Sequence, residues 1–138
     1  MATTGSSSSR AFDRTRHDHA SEMAEDYVEA IAEMIDKNDV CRGADLAKLF
    51  GVSHVTVTKT VNRLKREGLV DAEPYRPIRL TAKGSRLATA ARRRHEIVHS
   101  FLKALGVSDA VARTDSEGIE HHVSAETLRA FQRFAQRD

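Results

Sequence analysis

ADLAKLFGVSHVTVTKTVNRLKREG, residues 44–68, decides the fold. Ala44, Leu46, Ala47, Leu49 and Phe50 give a short apolar-faced helix. Gly51 follows it, the residue type that takes left-handed backbone most cheaply at a helix C-terminus. Ser53 then sits where a side-chain oxygen can accept from the first turn of a new helix, which runs to about Glu67 and stops at Gly68. Two helices joined by Gly51 to Ser53 form a helix-turn-helix pattern. At about 100° per residue, Val57, Val61 and Leu64 fall on one side of the second helix and must face a core.

The opposite side carries Val55, Lys59, Asn62, Arg63 and Arg66, with Thr56 and Ser53 beside it. Such a face suits a major groove, because Asn and Arg can read base edges while Lys and Thr hold phosphates. Downstream, Leu69 to Glu73 and Ile78 to Leu80 read as short strands around the turn Pro74-Tyr-Arg-Pro77, where both prolines of the chain sit. Arg76 and Arg79 make this hairpin a basic wing. Upstream, Met23, Tyr27, Ala30, Ile31 and Met34 recur at helical spacing and predict a first helix over about 21–37. The polar, Ser-rich residues 1–20 read as a disordered arm. Thr81 caps a long helix reaching about Ala104; Gly106 closes it, Ser108 caps the next, and a final helix starts at Ser124. The expected fold is mainly α: a winged helix-turn-helix of three helices and a two-stranded wing over 21–81, then an α-helical domain over 82–138.

Composition narrows the function classes. At 138 residues the chain can bury one compact core or a small reader domain with a helical appendage. No run approaches the roughly 20 apolar residues of a membrane span, and the polar N-terminus lacks the apolar segment of a secretory leader. Cys41 is the only cysteine, so neither an internal disulfide nor a multi-cysteine zinc or redox site can form. A reducing cytoplasm fits these features. The net charge of +2 announces no polyanionic partner by itself; its distribution does.

Carboxylates and imidazoles supply a second chemistry. Asp26 and Glu29 lie three apart on the first helix, away from the Tyr27, Ile31, Met34 stripe. Glu117, Glu120 and His121, spaced i, i+3, i+4, converge on one face of a later helix, and His95 lies midway along the long helix. Four carboxylates and two imidazoles are a ligand set for one divalent ion, or for two bridged by carboxylates. Like charges drawn together repel until a cation reverses the balance. Oxygen-rich, sulfur-free donors with imidazole suit manganese(II).

At these residues the chain resembles the manganese transport regulators of the diphtheria-toxin-repressor family. The similarity runs from about Ser21 to Gln136 and is carried by EDYVE (25–29), GVS (51–53), VTK (57–59), LTAKG (80–84), RH (94–95), FL (101–102), LGV (105–107) and above all EGIEHH (117–122). The resemblance implies that Asp26, Glu29, His95, Glu117, Glu120 and His121 form a two-metal site joining the first helix to the second domain. Asp26 and Glu120 stand where iron-sensing relatives place a methionine and a cysteine, which favours Mn(II), with Fe(II), Co(II), Cd(II) or Zn(II) as possible substitutes. Pro77 stands where the family usually has a wing-tip glycine, and the SH3-like third domain of those relatives is not expected. The resemblance further implies a homodimer with Phe101, Leu102, Leu105 and Val107 at its interface, binding palindromic double-stranded operator DNA as a repressor of metal-uptake genes.

Two other classes stand against this one. His95-Glu-Ile-Val-His99 matches H-E-x-x-H, the helix signature of zinc hydrolases, with Glu96 to activate water. Three arginines precede it and no substrate cleft is visible, so a non-enzymatic role is expected. The other is a winged-helix regulator with a non-metal effector.

Overall fold

The computed structural model describes the backbone of residues 3–137 and the side chains of residues 19–137. The chain divides into two compact units, residues 1–85 and 86–138. That division falls inside the first turn of the fourth helix, a few residues later than the boundary expected at Thr81.

The first unit contains α1 (Thr3–Asn38), α2 (Gly43–Phe50), α3 (His54–Arg66), β1 (Val70–Asp71) and β2 (Arg79–Leu80). α1 starts at Thr3, far earlier than position 21, so the backbone expected as a disordered arm is helical from there; residues 1–2 lie outside the described residues. The physical reason is that residues 21–38 already provide a nucleus. Adding turns to it needs only propagation, and no proline interrupts. The α1 stripe is wider than its 3.6-residue pattern suggests, since Ala24 and Val28 are buried together with Tyr27, Ala30 and Ile31. Leu46 and Ala47 of α2, Val57, Val61 and Leu64 of α3, and Leu69, Val70 and Ile78 around the wing complete this core. Each large aliphatic side chain withdrawn from water contributes about 2 kcal/mol. Tyr27 stacks on Phe50 with ring centroids 4.5 Å apart, tying α1 to the end of α2.

The turn between α2 and α3 forms as its residues dictate. Gly51 takes φ +65° and its N–H donates to the Ala47 carbonyl; Ser53 Oγ accepts from the Thr56 N–H at 3.1 Å. Thr81 joins two elements, since its hydroxyl donates to the Gly68 carbonyl at 2.6 Å and accepts from the Gly84 N–H at 3.0 Å.

The wing pairs over only two positions, Val70 with Leu80 and Asp71 with Arg79, shorter than the strands expected over 69–73 and 78–80. The Ile78 N–H is committed elsewhere, donating to the Cys41 carbonyl at 2.8 Å, and Pro74 and Pro77 have no N–H to offer.

In the second unit, α4 (Ala82–Ala104) is followed by α5 (Asp109–Ile119) and α6 (Ala125–Ala135). Ser108 and Ser124 cap the last two, accepting from Val111 and Thr127 N–H groups. Val98 and Ala112 are buried, and Phe101 stacks on Phe131 at 4.0 Å and meets Phe134 edge-on at 5.5 Å.

Gly84 is buried, and a Cβ there would collide with the Leu69 carbonyl oxygen. Gly84→Ala should therefore cost about 2 kcal/mol or more, read as a fall in the thermal midpoint. Cys41 is fully buried, its Sγ 3.5 Å from Met34 Sδ, and burial, aided by the Asp45 charge, pushes its thiol pKa up to about 11. A raised folded-state pKa gives stability that is complete below the unfolded value and lost as pH climbs through the folded one. The melting temperature should drop between about pH 9 and about pH 11, and Cys41→Ala should flatten that decline.

Candidate metal centre and nucleic-acid interface

His95 projects from α4, Glu120 caps the C-terminus of α5, and His121 lies in the turn that follows. The His95 Nδ1 lies 2.9 Å from Glu120 Oε2, and His121 Nε2 is 3.6 Å from Glu120 Oε1. Glu120 and His121 side chains are each only 3% exposed. Ser116 Oγ is 3.4 Å from His95 Nδ1 and donates its own proton to the Arg113 carbonyl at 3.0 Å. At Nδ1 the serine oxygen can therefore only accept. Nδ1 thus faces two oxygens, Ser116 Oγ and Glu120 Oε2, surroundings that favour the tautomer with its proton on Nδ1.

Burial lowers the His95 pKa; the Glu117 charge raises it in part, while His99 and Arg113 oppose protonation. A neutral imidazole beside a carboxylate is the form that ligates a metal. Glu117 itself is exposed and acts on His95 through its field. The expectation that Glu117, Glu120 and His121 share one helical face needs correcting, because α5 ends at Ile119 and the last two residues lie in the turn beyond it. Ser116 was not anticipated; its signal is its place four residues before Glu120.

In the first unit, α1 carries Asp26 and Glu29, both half-buried. Glu22 joins them at i, i+4, i+7, and its carboxylate oxygen lies within 4.8 Å of one from Asp26. This pair brings like charges together one helical turn apart. The sequence reading missed Glu22, although the 22, 26, 29 spacing was its signal.

On α3, Val55, Thr56, Lys59, Asn62 and Arg66 are exposed, opposite the inward Val57, Val61 and Leu64. Arg63 departs from the expected outer face. It is half-buried, and its guanidinium donates to the Ala20 carbonyl of α1 at 3.4 Å. On the wheel it lies at the flank, near the buried Thr60, within reach of α1. The Ser53 hydroxyl is occupied by its cap, accepting from the Thr56 N–H and donating to Thr56 Oγ1. Arg76 and Arg79 are exposed on the wing. Lys65 Nζ donates to the Ala72 carbonyl at 3.0 Å and lies 3.6 Å from Glu73, binding the last turn of α3 to the wing's first arm.

Comparison with known proteins places these features. Residues 19–78 match the family model for the iron dependent repressor, N-terminal DNA binding domain, and residues 81–137 match that for its metal binding and dimerisation domain. The chain belongs to the iron-dependent repressor family. The transcriptional regulator MntR of Escherichia coli O157:H7 is 47% identical over 126 residues, which is 91% of this chain and 81% of the relative. MntR of Salmonella typhimurium is 46% identical over 125 residues, 91% and 80% of the two chains. Among solved structures, a manganese-dependent transcriptional repressor in complex with manganese is similar at a TM-score of 0.71 and 32% identity, covering 83% of this chain and 55% of that one. The manganese regulator SloR is similar at 0.70 and 28%, covering 80% and 52%. This chain thus spans about half the length of those solved chains. It is a metal-responsive transcriptional regulator with a DNA-binding and a dimerisation domain.

Within the H-E-x-x-H match the His95 and His99 rings stack, with centroids 6.2 Å apart. His99 Nε2 lies 3.1 Å from Asp109, and Glu96 lies 3.5 Å from the Arg92 guanidinium. Asp109 also accepts from Arg113 at 2.9 Å and lies 3.4 Å from Lys103. The Arg113 hydrogen bond first, then the nearby cations, hold its carboxyl down at about 2. Among the residues expected at a dimer interface, Leu105 is exposed while Phe101, Leu102 and Val107 are half-buried. Phe101 is already covered on one side by Phe131. No described helix is long and apolar enough to cross a membrane.

The exposed α3 cations give a direct test. Lys59→Ala and Arg66→Ala should each weaken duplex binding and lower the slope of log affinity against log salt by about one, measured by fluorescence anisotropy. An unchanged slope would remove that residue from the phosphate contacts.

Proposed function

We propose that the protein is a cytoplasmic, manganese(II)-responsive repressor that binds palindromic operator DNA as a homodimer, with one or two ions held by Asp26, Glu29, His95, Glu117, Glu120 and His121. The observation that carries this reading is the buried Glu120 carboxylate, flanked by a neutral His95 and by His121. These donors fit a borderline-to-hard dication, since they are oxygen and imidazole nitrogen without thiolate. A bound ion supplies positive charge to a carboxylate set that otherwise repels itself.

What the chain's own residues do follows from their places. Glu120 and His121 are fixed by the end of α5, and Ser116 orients the His95 ring. The α1 carboxylates lie on the helix that also packs beneath the reading head. Metal held by both sets would favour one arrangement of the two units, and DNA affinity would rise by the metal's preference for that arrangement. In a dimer this fixes the spacing of two α3 helices about one turn of DNA apart. Fe(II), Co(II), Cd(II) and Zn(II) are chemically able to substitute, and zinc can bind more tightly without being the signal. The similarity to a manganese-dependent transcriptional repressor and to the manganese regulator SloR supports the choice of ion.

The test is Mn(II) titration against duplexes selected from a random-sequence pool by the Mn(II)-loaded protein. Wild type should gain at least tenfold in affinity with Mn(II) and lose it on chelation, while Glu120→Ala should lose most of the gain. Equal affinity with and without metal would overturn the sensor reading and favour a non-metal effector. The double variant Asp26→Met, Glu120→Cys should shift the response toward Fe(II).

A further inference from the structure

The wing tip carries a residue that its own turn disfavours. Glu73 to Arg76 form a turn closed by the Arg76 N–H donating to the Glu73 carbonyl at 3.2 Å. Pro74 occupies its second position and Tyr75, at φ +65°, its third. That is the pattern of a type II turn, whose third position favours glycine or asparagine because φ is positive there. A bulky aromatic residue in this region is an outlier that costs stability.

Tyr75 also gains nothing from packing, since its side chain is fully exposed at 101%. Strain and exposure thus coincide on one aromatic ring. The surrounding structure holds it there. Pro74 and Pro77 restrict the backbone on both sides. Ile78 is buried and donates its N–H to Cys41, anchoring the second arm, while Lys65 anchors the first arm to α3. The ring therefore stands exposed at the tip of a braced stem that also carries two exposed cations, Arg76 and Arg79.

We propose that Tyr75 is a DNA-contacting residue, its ring lying against deoxyribose and base edges in the groove beside the one α3 enters. An aromatic face suits sugar and unstacked base edges, and the ring supplies the contact by its face rather than by its hydroxyl. Arg76 and Arg79 hold the adjoining phosphates. A hairpin shaped for stability alone would carry glycine or asparagine at this position. The inference rests on the DNA-binding reading above.

The experiment uses the full Mn(II)-loaded chain and a duplex that the wild type selects from a random-sequence pool. Tyr75→Gly should raise the melting temperature by about 2–6 °C through relief of strain, yet weaken binding about five- to tenfold. The slope of log affinity against log salt should stay unchanged, because the ring carries no charge, whereas Arg76→Ala should lower it by about one. Tyr75→Ala, which keeps a Cβ and the restricted backbone, should lose as much affinity without the thermal gain. Tyr75→Phe should stay within about twofold of wild type. Wild-type affinity in Tyr75→Gly or Tyr75→Ala, or a Phe variant as weak as the Gly variant, overturns the ring contact while leaving the repressor reading intact. Failure of the wild type to select any duplex overturns both.

Discussion

A carboxylate removed from water at the end of α5 sets the terms for the second unit. The Glu120 side chain is almost wholly buried, and taking an ionised group out of water costs several kcal/mol unless other charges and hydrogen bonds replace its hydration. His95 Nδ1 lies 2.9 Å from it but brings no full countercharge, because burial lowers the imidazole's affinity for a second proton. Ser116 Oγ approaches the same ring nitrogen while its own proton goes to the Arg113 carbonyl. An arrangement of this kind adds little to folding. It makes sense as a place whose electrostatics improve when a cation enters, and the match of residues 81–137 to a metal binding domain agrees with that chemistry.

In the first unit the dominant constraint is apolar. Val57, Val61 and Leu64 must be covered, and covering them fixes which side of α3 remains open. Lys59, Asn62 and Arg66 are outward because those three are inward. A chain with a net charge of only +2 can therefore present a basic reading surface, since the helix wheel sorts its cations to one side. The same geometry explains Arg63, whose flanking position brings it to the Ala20 carbonyl. Lys65 likewise serves the wing, and neither cation belongs to the open face.

Features that depend on neighbours in sequence were legible from the sequence. The Gly51 turn, the Ser53, Ser108 and Ser124 caps and the order of six helices around a hairpin all follow from local chemistry, and all are present. Features that depend on partners distant in sequence were not. The wing is shorter than its strand-forming residues suggest because Ile78 gives its N–H to Cys41, 37 positions earlier. Glu117 looked equivalent to Glu120, but the helix ends between them and only Glu120 is buried. The proposed ligand residues were named through the EGIEHH stretch and its family resemblance, whereas Ser116 and Glu22 carry no signal beyond helical spacing.

The location of sulfur completes the argument for ion choice. A thiolate near the acidic groups would favour softer ions. Cys41 is the chain's only thiol, and the fold places it in the core of the first unit against Met34, where burial raises its pKa to about 11. A thiol protonated at neutral pH is a poor ligand, because the thiolate is the form that binds metal. The backbone carbonyl of the same residue receives the Ile78 N–H, so Cys41 serves the base of the wing. Structural use of the sole cysteine thereby leaves carboxylates and imidazoles as the donors near Glu120, and the proposed preference for manganese rests on the same packing that supports the hairpin.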